Sequence, residues 1–238
     1  SFFATHGTSM TNRNTLISGD NKGYAAWHWE HDVAGVQHLH DTQPFVAGFA
    51  QTNPGDLTPN LNAKPGSGPT DDEFENTRLI GLRQADKAVA LSQKASEALG
   101  GDIDSRMRYV DMSRVQVSGA YTPDGKPMKT CPAALGSSFA AGSTEDGPGP
   151  GIAKEGLPNP FLTAVGGLVF WPSATLRECH GVKEVVIPVG DMKPHPWSPE
   201  VLPLQVLKIG SIVFAGLPAE PTMMSGWRIR KQLARTLG

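Results

Sequence analysis

The stretch Asn53-Pro54-Gly55-Asp56-Leu57-Thr58-Pro59-Asn60 is the one from which the fold of this chain is read. An apolar run, Phe45-Val46-Ala47-Gly48-Phe49-Ala50, comes just before it and reads as a buried strand. The segment Lys64-Pro65-Gly66-Ser67-Gly68-Pro69 comes just after it and admits no regular structure. The Thr58 hydroxyl and the Asp56 carboxylate therefore sit where a strand runs out into a sharp turn. Gly55 is free to take a positive φ, while Pro54 and Pro59 each fix φ near about −65°. The loop is stiff, so Thr58 is held in place. The same residue types also build an ordinary tight surface turn, and spacing alone leaves that reading open.

Composition bounds the class. At 238 residues the chain is able to bury a sizeable core. Lys and Arg number 21 against 23 Asp and Glu, for a net charge of −2, so nothing argues for a nucleic-acid partner. No run of 18 apolar residues offers itself as a membrane span. With 27 Gly and 20 Pro, many turns and long structured loops are expected. Cys131 and Cys179 permit one disulfide without requiring it.

From the central loop outward, His6 falls in a loop after a short apolar start, where a histidine is commonly solvated or bound to a carbonyl. Residues 21–30 read as a helix. His28, His31, His38 and His40 follow at spacings that suit a metal but also suit an exposed connection. Thr70-x-x-Glu73 reads as a capping box opening a helix over 71–99 that Gly100-Gly101 ends. Its Ala-rich side suits close packing on a sheet. Residues 107–117 read as a strand with a bulge, 136–151 as a long functional or mobile loop, and 183–189 as a strand. His195 lies between two prolines in a rigid, exposed setting. Residues 204–217 read as two short strands turning at Gly210-Ser211, and 221–237 as a helix with a basic end. Glu220 stands at the strand-to-helix boundary, where a carboxylate serves equally as a simple cap or as an ionised metal ligand. The alternation predicts an α/β fold: a mixed β-sheet with packed helices and long Gly/Pro-rich loops at strand ends. In such folds ligands gather where strands end and helices begin, which is where Thr58 and Glu220 are expected.

Several blocks carry a resemblance in the same order along the chain. They are Phe3-Ala4-Thr5-His6-Gly7-Thr8-Ser9-Met10, Leu16-Ile17-Ser18-Gly19-Asp20-Asn21-Lys22-Gly23-Tyr24, the central loop, Lys64-Pro65-Gly66-Ser67-Gly68-Pro69, and Ser137-Ser138-Phe139-Ala140-Ala141-Gly142-Ser143-Thr144 with Asp146-Gly147-Pro148-Gly149. Gly216-Leu217-Pro218-Ala219-Glu220-Pro221-Thr222 completes the set. Together they resemble the neutral (neutral/alkaline, non-lysosomal) ceramidases of the bacterial type. That family carries Gly-Asp-Val-Ser-Pro-Asn with a proposed catalytic serine. Here Leu57 and Thr58 stand at the valine and serine positions.

The resemblance implies that residues 1–238 are part of a single ceramidase-like catalytic domain, with both ends cut and flanking segments of the same domain as partners. It implies zinc, held by His6 and Glu220, with a further histidine and a tyrosine beyond the two ends. It implies hydrolysis of the amide of ceramide, an N-acyl sphingoid base, to fatty acid and amine. Thr58 would act as nucleophile or as hydrogen-bond partner of the oxyanion, and Asp56 would orient the loop or the hydroxyl. Another N-acyl lipid amidohydrolase on the same fold, or a non-catalytic lipid-binding relative, are the alternatives. A secreted or periplasmic location is expected, with a membrane surface only as the source of substrate. Threonine adds a methyl that restricts χ1 and crowds the path of attack, which weighs against covalent catalysis.

Overall fold

The computed structural model describes residues 1–40 and 42–237. The fold is mixed α/β, helices with small antiparallel sheets, and the chain divides into two compact units. The first comprises Ser1–Glu97, Ser143–Gly147 and Ala219–Gly238; the second comprises Ala98–Gly142 and Pro148–Pro218.

In the first unit a helix over Asp20–Trp27 runs on into a π-helical stretch, His28–Val33. The long helix Glu73–Lys94 lies against it through small residues. A Cβ at Gly81 would come within 2.6 Å of the Asn21 carbonyl, so glycine is what allows this approach. Ala25 and Ala85 are fully buried, and Asn76, Thr77 and Gln84 share the buried face. The alanine-rich side thus packs on a helix, not on a sheet as expected. The helix also stops at Lys94, five residues short of the expected end at 99, because Ala95 is already extended.

Its start differs from the expected capping box as well. Asp72 is the N-cap and accepts from the backbone N–H of Phe74 and Glu75, each at 2.9 Å. Thr70 instead donates to Asn76 Oδ1 at 2.9 Å, and the Glu73 carboxylate accepts from Thr11 N–H at 2.6 Å. The expected strand at 45–50 is absent. Residues 45–49 are irregular, Val46 is 69% exposed, and a single bridge joins Phe2 to Ala50. Buried asparagines such as Asn21 and Asn76 take the place of large apolar side chains in this unit.

The second unit holds a three-stranded antiparallel sheet in which Val201–Ile209 is central, between Ile103–Asp111 and Ile212–Gly216. The expected hairpin at 204–217 is present and longer, and Gly210 makes its turn at φ 56°. The strand expected at 107–117 starts earlier, at Ile103, and ends at Asp111. There the Asp111 carboxylate accepts from Ser113 N–H at 3.0 Å and turns the chain. Residues 183–189 form no strand; Leu135 and Ile187 make one isolated bridge. The unit also holds the short helix Ser137–Ala141 and two longer ones, Pro160–Phe170, capped by Asn159, and Ala174–His180, capped by Ser173. A disulfide joins Cys131 to Cys179. No described helix is long and apolar enough to cross a membrane.

Candidate functional site

The loop 53–60 belongs to the first unit and is fastened to the helix Met223–Leu237 of that unit. Asn53 is buried against Gly226, where a Cβ would approach it to 2.6 Å, and its Oδ1 accepts from Arg230 at 3.0 Å. Gly55 N–H donates to the Pro221 carbonyl at 3.1 Å. Asp56 Oδ1 accepts from Met223 N–H at 2.7 Å, the first N–H of the helix. Asp56 thus caps this helix, the part expected of Glu220 as a simple cap, and in doing so it holds the central loop on the segment that carries Glu220.

His6 is fixed from the other side of the loop. Its Nδ1 and its backbone N–H both lie 2.9 Å from the Leu57 carbonyl. A carbonyl only accepts, so Nδ1 carries a hydrogen, and in the neutral ring Nε2 is then the nitrogen with the free lone pair. That Nε2 lies 3.8 Å from Glu220 Oε2, too far for a hydrogen bond. The Glu220 side chain is 70% exposed. The sequence therefore folds His6 and Glu220 into one place, through one carbonyl of the loop between them.

Behind His6 lies a buried polar network. Asn21 Nδ2 donates to the His6 carbonyl at 2.9 Å and to Ser9 Oγ at 3.0 Å, and Asn21 Oδ1 accepts from Gln84 at 3.0 Å. The Asp20 carboxylate accepts from Ser9 and Met10 N–H at 3.1 and 2.9 Å. Asp20 itself sits at φ 51°, an uncommon conformation for a residue with a side chain, maintained by these bonds.

Thr58 makes a different set of contacts. Its hydroxyl donates to Asp146 Oδ1 at 2.5 Å and accepts from Asn60 N–H at 3.1 Å. Thr8 Oγ1 and Asn60 Nδ2 donate to the same Asp146 oxygen, each at 2.8 Å. Asn60 is buried and its Oδ1 has no partner. The sequence singled out the 136–151 loop without assigning Asp146 a role. The only available signal was a carboxylate in a loop of small residues, 88 positions from Thr58.

His6 and Glu220 fit a zinc ion as two of its ligands. Nδ1 held by a carbonyl is the usual outer support of a ligating imidazole, and Nε2 presents the lone pair. Ligands on one tetrahedral zinc stand about 3.3 Å apart, close to the observed 3.8 Å. Among the described residues no three His, Cys, Asp or Glu side chains are grouped to hold a metal alone. Of the histidines at 28–40, His28, His31 and His38 are engaged elsewhere. His28 and His31 bind the two oxygens of Asp32 at 2.7 and 2.8 Å, and His38 binds Glu30 at 2.7 Å. His31 and then His28 hold the Asp32 carboxyl below its ordinary range, and His38 does the same for Glu30. His195 is exposed in the second unit.

His6 and Glu220 thus stand at the loop that carries Thr58, whose hydroxyl is held by a second carboxylate, Asp146. The profile described as neutral/alkaline non-lysosomal ceramidase, N-terminal, matches residues 1–238, and the chain belongs to that family. It is 53% identical over 232 residues to a neutral ceramidase of Pseudomonas aeruginosa, covering 97% of this chain and 33% of that protein. To a neutral ceramidase of Mycobacterium tuberculosis it is 42% identical over 239 residues, covering all of this chain and 37% of the relative. A solved structure, a ceramidase complexed with C2, matches with TM-score 0.81 and 53% identity over 97% of this chain and 35% of that one. The chain thus spans about a third of the length of the relatives it matches.

Proposed function

We propose that this chain supplies the central loop and half of the metal site of a zinc-dependent amide hydrolase. The substrate is ceramide, an N-acyl sphingoid base, and the products are a fatty acid and the free amine. The observation that carries the reading is the His6–Glu220 pair, with Nε2 and Oε2 3.8 Å apart and the Thr58 loop bound to His6 through Leu57. Ceramide as substrate is supported by the relatives named neutral ceramidases.

His6 and Glu220 hold the zinc, with further ligands from flanking segments of the same catalytic domain, of which residues 1–238 are one part. When bound, zinc polarises an amide carbonyl and lowers the pKa of a bound water to about 7. The chain's own residues do the rest. The Leu57 carbonyl keeps the hydrogen on Nδ1 of His6, and Asn21 fixes the His6 backbone. Asp56 holds the loop on the helix behind Glu220. Thr58 faces the scissile amide, as attacking atom or as hydrogen-bond partner.

The Cys131–Cys179 disulfide supports an oxidising location, secreted or periplasmic. A membrane surface then serves only as the source of substrate. The test is release of free fatty acid from ceramide and a panel of other N-acyl lipids by the full-length protein. Preference for ceramide supports the reading. Preference for another N-acyl lipid keeps the amidase and changes the substrate, and binding without hydrolysis overturns both.

A further inference from the structure

Three donors from two distant loops meet on one oxygen of Asp146: Thr8, Thr58 and Asn60 all address Oδ1. We propose that Asp146 is the positioning residue of Thr58, holding its hydroxyl hydrogen so that Thr58 meets the substrate through an oxygen lone pair and not as an oxyanion donor. The inference rests on the amidase reading and decides between the two roles that reading leaves to Thr58.

The argument is one of capacity. A hydroxyl has one hydrogen and two lone pairs. The hydrogen of Thr58 goes to Asp146 at 2.5 Å, a short bond to a carboxylate of the stronger, charge-assisted kind. One lone pair takes the Asn60 N–H at 3.1 Å. What remains is one lone pair, which either accepts from a substrate N–H or attacks a carbonyl carbon. In the second case the C–O bond forms as the C–N bond breaks, and the hydroxyl proton passes by way of Asp146 Oδ1 to the leaving amine. To donate to an oxyanion the hydroxyl would have to leave Asp146. Asp146 has no freedom to follow it, because Thr8 and Asn60 fix Oδ1 from two other sides at 2.8 Å. The β-branched side chain adds a second restraint, since Thr58 has few χ1 positions to turn to. With three donors upon it, Oδ1 is held in place, and its part is to orient the hydroxyl of Thr58.

Asp146→Asn is the informative variant, because it keeps an acceptor oxygen for the three donors and removes the charge. In the full-length protein, acting on whichever N-acyl lipid it hydrolyses best, Asp146→Asn is expected to lower kcat about tenfold with KM changed less than about twofold. In a Thr58→Ala background the same change is expected to cost less than about twofold more, because its effect runs through Thr58. Equal losses in the two backgrounds, or a fall in Tm that tracks the fall in kcat, would mean that Asp146 only ties the loops together. Should Asp146→Asn not fold, a crystal structure of the wild-type protein with a phosphonamidate analogue of ceramide gives the answer directly. A Thr58 hydroxyl still on Asp146 supports the proposal, and one turned onto the phosphonyl oxygen overturns it. A wild-type protein that hydrolyses no N-acyl lipid would remove the amidase reading itself, an outcome distinct from additive losses in an active enzyme.

Discussion

Gly55 lies directly against the backbone of Glu220: a Cβ at Gly55 would come within 2.4 Å of the Glu220 carbonyl oxygen and 3.1 Å of the Pro221 carbonyl carbon. Both obstacles are backbone, so neither gives way by rotating a side chain. The central loop and the proposed metal ligand are thus in contact at a position where only glycine fits. Gly55→Ala is expected to displace Glu220 and weaken zinc binding by about 10- to 100-fold, the range seen when the support of a ligand is disturbed. Elemental analysis of zinc, with circular dichroism to verify retained helix content, measures it. Full zinc occupancy at unchanged affinity would show that the contact does not govern the site.

The Thr58 hydroxyl carries the second prediction. Thr58→Ala in the full-length protein is expected to lower turnover at least ~10²-fold, the scale on which a single active-site hydrogen-bonding group is missed. Thr58→Ser keeps the hydroxyl and removes the methyl, so its rate should equal or exceed the native one. Native-rate ceramide hydrolysis by Thr58→Ala would reduce the loop to a scaffold.

Some of this was legible in the sequence, and the reasons for the remainder are physical. The helix over 221–237 and the hairpin over 204–217 are local patterns, and both are present with ends shifted by a few residues. The 45–50 run shows the limit of such patterns. Six apolar residues read as a buried strand, yet no partner strand runs beside them, and Val46 faces solvent. At the start of the long helix, Thr70-x-x-Glu73 has the spacing of a capping box. Asp72 lies closer to the free N–H groups, and Glu73 is drawn away by Thr11. Asp146 had no local signal, because its meaning comes only from Thr8 and Thr58, both far away in sequence. His6 and Glu220 likewise meet only through the folded loop between them; only the family resemblance singled them out.

Glu73 gives a prediction about pH. The Thr11 backbone N–H, with help from the Thr11 side chain, holds its carboxyl below the ordinary 4.5. A carboxyl lowered in the folded state adds stability above its unfolded pKa, and that stability is lost as pH falls through the lower folded value. Glu73→Gln is therefore expected to cost about 1 kcal/mol at neutral pH, the usual worth of such a bond. The difference from wild type should close as pH falls through the lowered folded value of Glu73. Denaturant unfolding at several pH values measures this, and a gap that widens in acid would contradict it.

Residues 1–238 by themselves give the fourth prediction. His6 and Glu220 are two ligands, whereas a catalytic zinc takes three from protein plus a water. The sheet of the second unit also leaves Ile103, Met107 and Tyr109 more than half exposed on one edge strand. Expressed alone, this piece is expected to bind zinc weakly and to hydrolyse no ceramide, with activity returning when the flanking sequence is restored. Calorimetric titration with zinc and a ceramide assay, run side by side, measure both. Submicromolar zinc binding with turnover would place the full ligand set inside these residues.

The account as a whole stands on zinc held by His6 and Glu220 acting in amide hydrolysis. The most direct measurement is fatty-acid release from ceramide by the full-length protein, native and Glu220→Gln, with zinc content determined before chelation, after chelation and after zinc is returned. The expected result is one zinc lost with activity on chelation and both restored by zinc in the native protein, while a folded Glu220→Gln protein neither holds zinc nor turns over at any stage. Undiminished hydrolysis by the zinc-free protein, or stoichiometric zinc in Glu220→Gln, would contradict it.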